Sequence, residues 1–375
     1  MPKTRLFAPI QMRDLEIPNR ITVAPMCQYT AKDGLAGNWH LVHLGQFAIG
    51  GPGLVFVEAT GVEPEGRITP GCTGLWSDAH EAAFKPIIEF YRDYGGSKIG
   101  MQLAHAGRKA STNVPWNGGT PLKPEDGAWQ TVGPSALPYA DGWHTPEAFG
   151  DNSLKRVRDA FVSAAERCAR LDFDVIEIHS AHGYLLHQFL SPISNQRTDQ
   201  YGGSLENRMR FPLEVFDAVR EVWPSGKPLG VRFSATDWVE GSDWNLDAAV
   251  EYAKALHARG CDFVDVSSGG NSPLQDIKVG PGYQTGFAAE IKRQVPDMTV
   301  MAVGKITDAH QAEHILQSGQ ADMVALARGI TFNPHWAWHA AHTLGDERAM
   351  FPQQYARSHP SMQGLPIPGN PPPAK

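Results

Sequence analysis

The sequence predicts one closed (β/α)8 barrel, and two observations support this fold class. Eight short apolar or β-branched runs recur along the 375 residues, a length that suits one large α/β barrel or two ordinary domains. The segments between the runs space their apolar residues about 3.6 positions apart, as in 160–168, which is typical of amphipathic helices. Eight such units without a visible reversal of order favour a closed barrel of parallel strands over an open doubly wound sheet.

Each run is short, apolar and bounded by turn residues, which is the pattern of a buried parallel strand. The eight runs are Ile21–Pro25, Leu54–Thr60, Ile99–Leu103, Val175–His179, Leu229–Phe233, Phe263–Ser267, Thr299–Gly304 and Met323–Ala327. The segment 6–20, ahead of the first run, predicts a small hairpin that closes the bottom of the barrel.

Two segments depart from this alternation of strands and helices. Residues 105–150, rich in Gly, Pro and Trp, separate the third strand from its helix. A loop that long is rarely structureless in a compact barrel, so we expect a capping insertion beside the active face. The Pro-rich tail over 358–375 cannot continue a helix, and we expect it to be mobile. We therefore predict a single barrel domain over 1–357, followed by this tail.

Composition excludes several classes of protein. The chain carries 33 Lys and Arg against 40 Asp and Glu, a net charge of −7, and no long basic run, which disfavours a nucleic-acid partner. No span of about 18 apolar residues and no signal-peptide pattern is visible, so we expect a soluble cytoplasmic protein without a membrane partner. The four cysteines are scattered without a C-x-x-C pair, which predicts free thiols.

The most informative segment is Val175-Ile-Glu-Ile-His-Ser-Ala-His-Gly-Tyr184, where a strand pattern ends. It places two imidazoles and a phenol at one strand end, and Gly183 eases the backbone through the turn. These side chains are suited to polarising an oxygen and delivering a proton near neutral pH. His179 and His182 could also bind zinc, with His187 or Glu177 as a further ligand, so a metal-dependent barrel hydrolase stays open.

The other strand ends add a second set of candidates, since the chemistry of such barrels lies at the carboxyl ends of the strands. Glycines at the last three strand ends, together with Arg328, predict a phosphate site, because glycine lets backbone N–H groups approach an anion closely. These glycines are Gly269, Gly270, Gly304 and Gly329. Arg232 lies inside a strand, where it either pairs with Glu177 or offers a counter-charge to an electron-rich ligand. Four further residues at strand ends have an ordinary structural interpretation beside a functional one. By residue type alone, Cys27 fits a buried thiol and Gln102 a hydrogen-bonded amide. Lys109 fits a solvated cation and Tyr29 a packing aromatic.

Six motifs, read in order along the chain, carry a resemblance to a known family. They are Ala24-Pro-Met-Cys27-Gln-Tyr29, Gln102-Leu-Ala-His-Ala-Gly-Arg-Lys109, His179-Ser-Ala-His182-Gly-Tyr184, Leu190-Ser-Pro, Arg197-Thr-Asp-Gln-Tyr-Gly-Gly-Ser-Leu-Glu-Asn-Arg208 and Val231-Arg232. From Leu6 through Arg357 the chain resembles the old yellow enzyme family of flavin-dependent ene-reductases, and within it the thermophilic-like class that includes xenobiotic reductases. The resemblance implies FMN across the barrel mouth, NAD(P)H as the reductant and an activated alkene as the small-molecule substrate.

The resemblance also implies residue roles. The residues that would contact the flavin ring are Ala24, Pro25, Met26, Cys27, Ala59 and Gln102, with Cys27 tuning its potential. Arg232 would lie near N1 and the C2 carbonyl, and Gly304 and Arg328 would hold the phosphate.

On the substrate side, the resemblance implies that His179 and His182 bind the oxygen of the alkene substrate and that Tyr184 donates the proton. Tyr29 and Lys109 would line the pocket, and Arg357 would reach into a neighbouring subunit of a homodimer or homotetramer. The alternatives that remain are a metal-dependent barrel hydrolase, a flavin-dependent dihydrouridine synthase acting on tRNA, and a non-catalytic barrel that binds a phosphorylated ligand.

Overall fold

The computed structural model describes residues 4–358, so almost all of the predicted tail lies outside the described residues. Within this range, eight parallel strands form a closed barrel in which each strand is bonded to the next along the chain. The last strand closes on the first through the pair Val324 and Ile21. The predicted (β/α)8 fold is therefore confirmed. None of the helices in the described range is long and apolar enough to cross a membrane.

Over residues 4–358, the chain forms two hairpin strands, eight barrel strands and two short strands in a loop. The strands are β1 (Ile10–Met12), β2 (Leu15–Ile17), β3 (Ile21–Val23), β4 (Leu54–Gly61), β5 (Lys98–Ala104), β6 (Val132–Gly133), β7 (Glu147–Ala148), β8 (Val175–Ser180), β9 (Leu229–Ser234), β10 (Phe263–Ser267), β11 (Thr299–Val303) and β12 (Met323–Leu326). The helices are α1 (Asn38–Ala48), α2 (Asp78–Tyr94), α3 (Asp151–Arg170), α4 (Leu185–Leu190), α5 (Leu205–Val222), α6 (Leu246–His257), α7 (Thr285–Gln294), α8 (Ala309–Gln317), α9 (Arg328–Phe332) and α10 (Trp336–Leu344).

The eight barrel strands coincide with the eight predicted runs to within two residues at either end. Strands β4 and β8 are buried along their whole length, because the barrel interior covers one face and helices cover the other. The first strand ends at Val23, short of the predicted Pro25, and a proline has no N–H to donate to a strand ladder.

A hairpin closes the bottom of the barrel, as the segment 6–20 predicted. Strands β1 and β2 pair antiparallel through Ile10 and Ile17. Met12 and Ile17 are buried in a small apolar cluster with side chains from five barrel strands, and these are Leu54, Phe56, Val175, Phe263, Met301 and Met323. Most of these residues lie in the first half of their strands, so the hairpin fills the end of the barrel opposite the strand ends that carry the chemistry.

The segment 105–150 is a long loop tied to the barrel. It contains three 3-10 turns and the two-residue pair β6–β7. Arg197, from the loop between α4 and α5, donates to the carbonyl oxygens of Pro134 (3.1 Å) and Phe149 (2.6 Å). These bonds satisfy backbone groups of the loop and tie its end to the segment between α4 and α5, while its role as a cap stays a prediction.

Candidate active site

The turn after β8 has a strained backbone that only a glycine fits at one position. His182 (φ 58°) and Gly183 (φ 73°) both lie in the left-handed region. A side chain at position 183 would collide with the carbonyl oxygen of Gly270. This tight turn lets Tyr184 serve as the N-cap residue of α4 directly beside the end of β8.

The turn gathers the three residues that the sequence singled out. The ring centre of His179 lies 5.2 Å from that of His182 and 5.0 Å from that of Tyr184, both in edge-on geometry. The structure therefore brings both imidazoles and the phenol to one place at the carboxyl end of β8.

Both histidines are neutral near pH 7. Burial, reinforced by the positive charge of Arg232, holds the pKa of His179 and of His182 well below the ordinary value. Nδ1 of His179 accepts from the N–H of Ala181 (3.2 Å), so the proton of the neutral ring lies on Nε2. Nε2 of His182 lies 2.7 Å from Oγ of Ser267, which leaves its Nδ1 without a partner within residues 4–358. Each ring can thus present one nitrogen to a ligand.

The phenol of Tyr184 holds its proton. Burial, together with the nearby thiol of Cys27, raises the pKa of Tyr184 well above its ordinary value. Over residues 4–358 the hydroxyl makes no hydrogen bond, so it is free to donate to a molecule in the barrel mouth.

A buried network holds this turn in place. Nδ1 of His187 accepts from the N–H of Gly183 (2.9 Å), and its Nε2 lies 3.1 Å from Oδ1 of Asp237. The other carboxylate oxygen of Asp237 accepts from Ser191 (2.6 Å) and Ser242 (2.8 Å). Both ring nitrogens of His187 are therefore engaged, and it cannot serve as the third zinc ligand that the hydrolase alternative needed.

Arg232 does not pair with Glu177, one of the two alternatives that the sequence left open. Its Nε lies 3.1 Å from Oδ2 of Asp265, its register partner on β10. Glu177 instead accepts from Nε2 of Gln102 (2.7 Å), and burial and the nearby Asp265 raise the pKa of Glu177 to about 8. The terminal nitrogens of Arg232 donate to no group within residues 4–358, so they remain available to a ligand at the barrel mouth.

A bulge in β4 fixes the loop after β3. The ladder between β4 and β5 shifts register just before Ala59, at Glu58. The buried Glu58 carboxylate lies 3.1 Å from Nε2 of His40 and accepts from the N–H of Gln28 (3.0 Å). These contacts hold the loop that carries Cys27 beside the end of β4.

The remaining predicted ring contacts lie at neighbouring strand ends. The N–H of Ala24 donates to the carbonyl of Leu326 (2.8 Å), which continues the barrel ladder one residue beyond β3. Ala59 and Gln102 face each other in the β4–β5 ladder. Met26 reaches α9, the helix after β12, where its Sδ accepts from Oγ1 of Thr331 (3.1 Å).

Cys27 is a free thiol that contacts a second one. A hydrogen bond with Cys72, followed by burial, raises the pKa of Cys27 well above its ordinary value. Tyr29 lies two residues on, where its ring packs edge-on against Trp116 of the long loop at 5.8 Å. Burial and the neighbouring thiols also raise the pKa of Tyr29, so both groups stay protonated.

Lys109 and Arg357 have opposite environments. Lys109 is not the solvated cation that its residue type allowed, because its Nζ donates to the carbonyls of His182 (2.8 Å) and Gly270 (2.7 Å). Burial lowers its pKa to about 7. Arg357 lies in the last 3-10 turn of the described chain and is exposed, so its reach into a neighbouring subunit stays a prediction.

The predicted phosphate site lies beside β11 and β12. Gly304 has φ 132°, and a side chain there would press on Nε2 of Gln284 at 3.0 Å. Arg328, the first residue of α9, is exposed and makes no ion pair within residues 4–358. Gly270, which the sequence analysis assigned to the phosphate site, packs directly against the backbone of His182. This close contact by itself requires a glycine at position 270.

The chain resembles known proteins over almost its whole length. Its fold matches morphinone reductase in complex with tetrahydroNAD at 31% identity, with a TM-score of 0.75 and coverage of 92% of this chain and 91% of the other. It also matches an old yellow enzyme homologue of Zymomonas mobilis at 27% identity and a TM-score of 0.73, covering 88% and 89% of the two chains. Residues 5–347 match the NADH:flavin oxidoreductase / NADH oxidase family. The chain belongs to the old yellow enzyme family.

Two sequence relatives agree with this family assignment. An NADPH dehydrogenase of Bacillus subtilis is 43% identical over 357 residues, which cover 94% of this chain and 98% of the relative. An NADH:flavin oxidoreductase of Gibberella zeae is 46% identical over 363 residues, covering 92% and 87%. As a member of the old yellow enzyme family, the protein is an FMN-dependent NAD(P)H oxidoreductase that acts on a small molecule. This decides against the metal-dependent hydrolase and the non-catalytic barrel.

The strand ends of this old yellow enzyme fit FMN. The free terminal nitrogens of Arg232 suit the electron-rich edge of the flavin ring, and the unpaired guanidinium of Arg328 suits its phosphate. Gly304 presents backbone without a side chain at the strand end beside it, as close approach of a phosphate requires.

Several site residues of this old yellow enzyme escaped the sequence analysis. Asp265 could have been found, because a carboxylate alternates with Val264 and Val266 inside a buried strand pattern. Cys72 and Ser267 carry no local signal, since they reach Cys27 and His182 only through the fold.

Proposed function

We propose that this enzyme reduces the C=C bond of activated alkenes, namely α,β-unsaturated carbonyl compounds and nitro compounds, at the expense of NAD(P)H. The observation that carries the proposal is the cluster of His179, His182 and Tyr184, in which the ring centres of His182 and Tyr184 lie 5.2 and 5.0 Å from that of His179 at one strand end. It unites two neutral imidazoles, each with one nitrogen available to a ligand, with one phenolic proton donor.

The histidines polarise the substrate's oxygen. Such an alkene accepts hydride at its β-carbon only when negative charge can collect on the oxygen. Nε2–H of His179 and the free nitrogen of His182 can bind that oxygen, and neutral rings do so without placing a fixed positive charge in the barrel. FMN, when bound, supplies the hydride step between NAD(P)H and the alkene.

Tyr184 completes the reduction by giving a proton to the α-carbon. Its raised pKa keeps the phenol protonated across the neutral range, and its hydroxyl is not tied to another group within residues 4–358. The fixed turn at Gly183 holds the phenol beside His179, so the oxygen and the α-carbon of one alkene can meet their partners together.

We further propose the full set of binding residues. Those for FMN are Ala24, Pro25, Met26, Cys27, Ala59, Gln102, Arg232, Gly304 and Arg328. Those for the substrate are Tyr29, Lys109, His179, His182 and, from a neighbouring subunit of a homodimer or homotetramer, Arg357. The net charge of −7 does not favour tRNA as the substrate of this flavoenzyme.

The visible spectrum of the purified protein tests this function. We expect a yellow protein whose flavin absorbance is bleached by NADPH under anaerobic conditions and restored by 2-cyclohexenone. Saturated cyclohexanone serves as the control and is expected to leave the bleached spectrum unchanged. A reduced flavin that reoxidises with dioxygen but not with the enone would refute the alkene reductase proposal.

A further inference from the structure

The loop over 105–150 brings an aromatic side chain to the active-site residues. Nζ of Lys109 lies between two rings, 5.1 Å from the centre of Tyr184 and 4.7 Å from the centre of Tyr139. Tyr184 in turn lies 5.0 Å from His179. His179, Tyr184, Lys109 and Tyr139 therefore form a continuous row of contacts from the end of β8 to the loop, which we term the site row.

The site row is rigid at its centre. The buried Nζ of Lys109 donates to the carbonyls of His182 (2.8 Å) and Gly270 (2.7 Å), so two backbone segments of the barrel fix its position. The side chain that separates Tyr139 from Tyr184 is therefore anchored to the barrel backbone at its charged end.

Tyr139 is itself held from the barrel side. Nη1 of Arg108 donates to the carbonyls of Leu137 (3.4 Å) and Pro138 (3.3 Å), just before Tyr139, while its Nη2 donates to the carbonyl of Asn271 (2.7 Å). Trp143 packs edge-on against the Tyr139 ring at 4.7 Å. These contacts cover part of the ring, and Tyr139 remains only half-buried.

We propose that Tyr139 is a substrate-specificity residue, whose ring forms the outer wall of the site and contacts aryl substituents that extend beyond the alkene. The inference rests on the proposed function, in which the alkene's oxygen lies at His179 and its α-carbon at Tyr184. A short alkene ends before it reaches Tyr139, whereas an aryl group continues along the site row. Aromatic pairs gain stabilisation beyond the area that they bury, so the enzyme selects for aryl-substituted acceptors.

Two enals that differ only at the β-carbon test this role. In the FMN-loaded enzyme, we expect Tyr139→Ala to lower kcat/KM for trans-3-phenylpropenal at least fivefold, through KM, and to change that for trans-2-butenal less than twofold. Tyr139→Phe keeps the ring and is expected to behave like the wild type with both enals. Tyr94→Ala, at an exposed tyrosine at the end of α2, is the matched control and is expected to change neither.

Equal effects of Tyr139→Ala on the two enals, or none, would overturn the proposal. If that variant loses FMN, Tyr139→Leu fills the space without a ring and is expected to show the same selective loss.

A binding measurement separates this inference from the proposed function. Phenol and 4-phenylphenol are titrated against the spectrum of the oxidised flavin, and we expect Tyr139→Ala to weaken only 4-phenylphenol. If neither enal reoxidises the wild-type flavin, the proposed function fails. The titration then still decides the role of Tyr139, and equal affinities of the variant and the wild type for 4-phenylphenol would refute it.

Discussion

Nε of Arg232 lies 3.1 Å from Oδ2 of Asp265, and both side chains are buried between neighbouring strands of the barrel. A buried charge that loses its partner keeps its desolvation cost without the compensating attraction. We expect Asp265→Asn to lower the free energy of unfolding in urea by about 3 kcal/mol.

The matched control is Asp276→Asn, which breaks an ion pair with Lys278 that is about three-quarters exposed. We expect this variant to lose less than about 1 kcal/mol, because solvent screens exposed pairs. Equal losses in the two variants would show that the barrel does not depend on the Arg232 pair.

Removing the phenolic hydroxyl of Tyr184 tests the proton step. We expect Tyr184→Phe to slow flavin reoxidation by 2-cyclohexenone roughly a hundredfold, the lower end of what a positioned proton donor contributes. Reduction by NADPH is expected to be largely spared, because it needs no proton from the phenol. Stopped-flow absorbance measures both half-reactions, with Tyr94→Phe as the control, and equal slowing of the two would argue against a proton donor.

The two histidines are tested by ligand binding rather than turnover. Phenolate ligands imitate the enolate oxygen that forms when the alkene accepts hydride. A hydrogen bond to a charged group contributes about 1.5–3 kcal/mol. We therefore expect His179→Ala and His182→Ala each to raise the Kd of a phenol about tenfold or more, as followed by the flavin spectrum. His342→Ala, at an exposed position on α10, is expected to bind normally. Unchanged affinity in the first two variants would remove their assigned role.

Lys109 makes stability depend on pH in a specific direction. Its pKa falls on folding from the ordinary 10.5 to about 7, so unfolding takes up a proton between these values. The free energy of unfolding that this group contributes therefore rises with pH across that window, by about 1.4 kcal/mol per pH unit, and is lost as the pH falls through 7.

Urea unfolding of the wild type and of Lys109→Met at pH 7.5, 8.5 and 9.5 measures this contribution. We expect the unfolding free energy of the wild type, minus that of Lys109→Met, to increase with pH. Parallel curves would mean that Lys109 keeps its proton in the folded protein.

The fold was predictable from the sequence because each barrel strand is buried on both faces and so has a continuous apolar pattern. Alternation also placed Arg232 on the inner side of its strand, but the pattern holds no information about the register between strands. Glu177 is level with Gly230, whereas His179 and Asp265 are level with Arg232, and this register decided the ion pair.

The candidate site was predictable where its residues follow one another in the chain, as they do from His179 to Tyr184. Where contacts join distant segments, as between Cys27 and Cys72, no local pattern records them. Tyr139 is the extreme case, because it lies in a loop without regular periodicity and is held at the site by the bonds of Arg108 to the residues before it and by contacts of its ring with Trp143 and Lys109.

The hairpin β1–β2 closes one end of the barrel. Its side chains Met12 and Ile17 fill that end, so we expect the molecules that react at His179 and Arg232 to arrive and depart at the opposite end. We therefore expect reductant, acceptor and both products to share one entrance and to occupy it one after another. A large excess of either reactant is expected to obstruct the other and to slow the very turnover that it feeds.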